Sequence, residues 1–109
     1  MKVTISKIIS NELQHKLMVI HDTDDLLDDY CVTKDEVYQL VSSLPVDGGE
    51  WEIPQHHMMM VMVECHDSAD INGYMMLEAM KDGDYENAKV FGQIVRELDK
   101  LFKINLVVQ

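Results

Sequence analysis

The densest set of metal-ligand side chains is one continuous run, His56-His57-Met58-Met59-Met60-Val61-Met62-Val63-Glu64-Cys65-His66. Histidine, methionine and cysteine are donors that copper(I) and zinc accept. A small metal-handling protein using residues 56–66 is therefore one reading of the chain. Strand spacing works against it. In an extended segment His57, Met59 and Cys65 face one way while His56, Met58 and His66 face the other, so one ion does not collect them. Methionine also fills irregular cores. The run is expected to pack as core, with no metal and no cofactor assigned.

The remaining reactive residues are few. Cys31 and Cys65 share no CxxC spacing and are expected to be free, small core residues. His15, His21, His56, His57 and His66 make a nucleophile-plus-base pair conceivable, but the chain contains no G-x-S-x-G, P-loop, G-x-G-x-x-G or H-E-x-x-H. His21-Asp22 and His66-Asp67 are adjacent in sequence, where strand geometry splays the side chains. No enzyme is expected. Asp82-Gly83-Asp84-Tyr85-Glu86-Asn87 imitates the start of an EF-hand loop. It then carries Asn87 where glycine is required and Gln93 where the bidentate glutamate belongs. A hinge with a helix cap explains it better.

Charge is the stronger signal. Twenty acids against nine bases give the 109-residue chain a net charge of -11. That excess argues against direct binding to nucleic acid or to an anionic membrane, both of which need lysine and arginine. Residues 17–80 hold fourteen acids and a single base, Lys34, while the segments on either side are neutral or slightly positive. Asp24, Asp25, Asp28 and Asp29 fall on one arc of a helix read over residues 24–31, opposite Leu26, Leu27, Tyr30 and Cys31, with Asp22 just before it. An ordinary exposed face mixes signs for i,i+4 support, and this one does not. Glu50, Trp51 and Glu52 form a second patch, in which an exposed tryptophan ringed by acids would anchor an interface, while a buried tryptophan would instead cap the core and is the favoured reading of Trp51 itself.

The elements that must carry these residues read as follows. Residues 2–9 and 16–22 are β-branched and predict a hairpin, although Ile5, Ile9, Leu13, Leu17 and Ile20 also fall in one helical stripe. Thr33-Lys34-Asp35-Glu36 is a capping box opening a helix that Pro45 ends. Residues 56–65 read as an interior strand, 67–73 as a polar loop and 74–80 as a short helix. A long helix follows over 85–102, and 104–108 reads as a last strand. The expected fold is a single α+β domain over 1–109. Its three- to four-stranded, mostly antiparallel sheet carries three to four helices on one face.

Lys7 interrupts the apolar start that a secretory signal needs, and the longest apolar run, Met58–Val63, is far short of a membrane span. The cytoplasm is the expected compartment. The leading functional expectation is a small acidic binding protein that blocks a basic site on a partner, a nuclease or nucleic-acid-binding complex. Toxin-immunity proteins and phage or mobile-element anti-defence proteins work this way. Its expected surface is Asp22, Asp24, Asp25, Asp28 and Asp29, with Glu50, Trp51 and Glu52. The third reading is an oligomeric scaffold, a homodimer through the Met-rich run or through Met75, Met76 and Met80.

Overall fold

The computed structural model describes residues 1–108, with side chains described through Leu101. It is 74% helical with only a two-stranded antiparallel sheet, so the expected three- to four-stranded α+β sheet is not the fold. The chain falls into two compact units, residues 1–64 and the segment from Cys65 onward.

The first unit opens with a strand, β1 (Lys2–Ile5), paired with β2 (Gly49–Glu52). Val3 lies opposite Trp51, and Lys2 opposite Glu52. Period-two alternation puts Val3, Ile5 and Trp51 inward and Lys2, Thr4, Glu50 and Glu52 outward. Three helices lie between the strands: α1 (Lys7–His21), α2 (Asp24–Tyr30) and α3 (Lys34–Ser42). Helix α1 replaces the expected hairpin. Ser6 caps it by accepting from the Ile9 amide at 3.2 Å. Its stripe Ile9, Leu13, Leu17 and Ile20 is essentially inaccessible, none above 1% exposed. Burial at a period of 3.6 outweighs the modest β-propensity of isoleucine and valine. Only Ile5 leaves the stripe, because Ser6 ends the strand.

The last helices differ most from expectation. After a 3-10 turn over Gln55–His57, α4 runs unbroken from Met58 to Lys81. It takes in residues 58–65 of the strand expected over 56–65, the expected loop 67–73 and the short helix 74–80. The run looked two-sided because nearly every position is apolar, and methionine is a good helix former. The polar stretch stays helical because Asn72 Nδ2 donates to the Ser68 carbonyl at 2.8 Å and to Ser68 Oγ at 3.2 Å, with both residues buried. Helix α5 (Tyr85–Val108) continues through the segment expected as a final strand. Between them Gly83 takes a left-handed φ of 74°, and Asp84 caps α5 by accepting from the Asn87 amide. Residues 82–87 are thus a hinge and cap. No helix among the described residues is long and apolar enough to cross a membrane.

Gly48 tests the turn into β2. Its φ is +91°, and a Cβ there would sit 3.0 Å from the Lys7 amide nitrogen and 3.2 Å from the Ile5 carbonyl oxygen. Gly83 shares a positive φ, but its missing Cβ would meet open space. Gly48→Ala should lose more than about 1 kcal/mol in urea unfolding, because backbone strain and collision add. Gly83→Ala should lose less, since strain acts alone there.

Candidate functional site

Two features of the first unit present chemistry: the aspartate face of α2 and a histidine cleft beside α3. Helix α2 is seven residues long. Thr23 stands at its N-cap but turns its hydroxyl back to donate to the Val19 carbonyl at 2.7 Å, so no side chain caps the helix. Its other end stops at Cys31, which adopts a left-handed φ of 55° and is exposed, not a core residue as expected. Leu27 is its one buried side chain. Tyr30 adds a tether, its hydroxyl donating to Glu64 Oε2 at 2.6 Å.

Asp24, Asp25, Asp28 and Asp29 are all exposed, and among the described residues none of them is in an ion pair. Asp24 and Asp25 lie in the first turn, which suits the positive end of the helix dipole. Asp28 and Asp29 lie near its negative end. Asp22 is exposed and its Oδ1 is 2.7 Å from His21 Nδ1. His21 is the last residue of α1 and Asp22 its C-cap, so the strand spacing expected to splay them does not apply. On β2, Glu50 and Glu52 are exposed, but Trp51 between them is only 1% exposed and its Nε1 donates to Ser43 Oγ at 2.8 Å. Trp51 therefore pins β2 to the end of α3 and offers no surface ring to a partner.

The cleft has a volume of about 510 Å³, and its lining includes Asp35, Glu36, Glu52, Pro54, His56 and His57. Pro54 starts the 3-10 turn, with the His57 amide donating to the Pro54 carbonyl at 2.9 Å. That turn brings the rings of His56 and His57 to a centroid distance of 3.9 Å. His57 is 5% exposed, and its Nδ1 is buried with no hydrogen-bond partner. Its Nε2 lies 3.6 Å from Glu36 Oε2. Burial lowers the His57 pKa, the neighbouring His56 lowers it further, and Glu36 only partly opposes them. Burial and His56 thus favour the neutral imidazole of His57, the form that keeps one ring lone pair free of a proton.

Of the His, Cys and Glu donors in the 56–66 run, only His56 and His57 fall in a cluster among the described residues. Glu36, 20 and 21 positions earlier, is what the structure brings to His56 and His57. Sequence reasoning saw Glu36 only as half of a capping box, and no local spacing links it to the histidines. Comparisons of the chain with family models, curated proteins and solved structures return no match.

The lowered His57 pKa fixes the sign of a pH effect. The unfolded chain takes up a proton near pH 6.5, where folded His57 does not. This residue therefore costs no stability above that pH, and an increasing amount as pH falls below it toward the folded pKa. Urea unfolding at pH 7.5 and pH 5.5 should show a smaller loss of stability on acidification for His57→Gln than for the wild type.

Proposed function

We propose that the protein is a small acidic binding protein that occludes a positively charged site on a partner protein, a nuclease or nucleic-acid-binding complex. The observation supporting it is the face of α2. Four exposed carboxylates lie on two turns of one helix, with no cation among the described residues to neutralise them. Like charges so placed repel and weaken the helix. A basic partner turns that repulsion into attraction and steers encounter over a Debye length of about 8–10 Å. Asp22 extends the face, and Glu50 and Glu52 supply further negative charge. Trp51 has no part in it. Occlusion needs no catalytic group.

A second reading rests on a separate observation. Ile71, Tyr74, Met75, Leu77 and Met80 of α4 are all exposed. This apolar surface supports self-association as a homodimer, with the acids as a solubilising coat.

Reversing Asp25 and Asp28 to lysine should abolish capture of a basic partner from extracts of the native host while leaving the far-ultraviolet circular dichroism unchanged. Wild-type capture should weaken as salt is raised. Capture that survives the double reversal would remove α2 from the interface. For the second reading, light scattering should give a dimer mass for the wild type and a monomer mass for Leu77→Glu.

A further inference from the structure

We propose that Glu36, His56 and His57 form a binding site for a zinc-type divalent transition metal, with three protein donors and one position left for water or an anion. A ring nitrogen of each histidine and a carboxylate oxygen of Glu36 lie within 4.8 Å of one another. Two ligands of a tetrahedral zinc ion, each about 2.0–2.1 Å from the metal, stand about 3.3 Å apart. His57 Nε2 and Glu36 Oε2 are already at 3.6 Å. That separation is too long for a hydrogen bond and close to a ligand–ligand edge.

The carboxylate is held for this task by its other oxygen. Glu36 Oε1 accepts from the Thr33 amide at 3.3 Å and from the Thr33 hydroxyl at 3.2 Å. The capping box thus fixes the side chain and leaves Oε2 turned to the histidines, as an outer-shell hydrogen bond does for a ligating carboxylate. His57 is enclosed by packing. It is 95% buried by its 5% exposure, and its ring has no hydrogen-bond partner at Nδ1. The ring nitrogen that faces the carboxylate is Nε2, which is the donor His57 would offer. His56 is exposed at the cleft mouth, so the site opens to solvent.

The donor set decides the class of metal. Two imidazoles and one carboxylate suit zinc and its divalent neighbours, whereas copper(I) wants sulfur and calcium wants six or more oxygens. Cys65 does not belong to the cluster. The site does not depend on the aspartate face, and the docking proposal can fail without touching it.

The test is calorimetric titration of the chelator-stripped full chain with zinc sulfate. One zinc should bind per chain. Glu36→Gln is the informative variant, because glutamine can still complete the capping box while the charged oxygen is lost. His56→Ala removes an exposed donor. Each should weaken zinc binding at least tenfold with unchanged circular dichroism, while His66→Ala should leave it as in the wild type. Cobalt(II) in place of zinc should give tetrahedral visible absorption that both variants lose. Absence of stoichiometric zinc binding by the wild type, or binding that neither variant weakens, overturns the assignment.

Discussion

The first unit depends on the burial of one stripe. Ile9, Leu13, Leu17 and Ile20 give α1 a face that water does not reach, and α1 packs against both α2 and α3. Burying side chains of this size contributes about 1.5–3 kcal/mol each. That stabilisation has to exceed the repulsion among the α2 aspartates. Seven residues carrying four like charges do not hold a helix alone in water. Leu27 and the Tyr30–Glu64 hydrogen bond attach α2 to a scaffold that is already formed. The acidic surface exists because something apolar elsewhere supports it.

Trp51 has a comparable role for the cleft. Its ring closes the core under β1 and β2, and its indole N–H binds Ser43 one residue beyond α3. This fixes β2 against the helix that carries Glu36. Pro54 then turns the chain so that the histidines arrive on the same side as that carboxylate. Of the two readings of this tryptophan, the buried one holds, and the residue is a positioning element.

Much of the local structure was legible in the residues. The Thr33–Glu36 capping box, the one-sided α2 helix and the amphipathic start of α5 follow from signals confined to a few turns. The strand expectations failed where composition hid the period. In residues 58–63 every position is apolar, so alternation and helical spacing fit equally well. In residues 2–22 β-branched residues suggested strands, while the decisive Ile9, Leu13, Leu17, Ile20 spacing supported the rival helix. The loop expected at 67–73 failed because Ser68 and Asn72 satisfy each other inside a helix, a pairing visible only once the helix exists. The histidine cluster was illegible for a different reason. Its carboxylate comes from another element, and a sequence records no distance between α3 and the turn after β2.

Glu36 divides its two oxygens between unlike duties: one holds the start of α3, the other faces the histidines. The two duties are therefore thermodynamically linked. Whatever draws Oε2 toward the cleft bears on the grip that Oε1 keeps on Thr33, and fraying of the first turn of α3 loosens the cleft in return. By reciprocity, occupancy of the cleft and order at the helix start favour or oppose each other by the same free energy. Amide exchange at the first turn of α3, which carries Glu36 itself, would carry the record of what sits among the histidines.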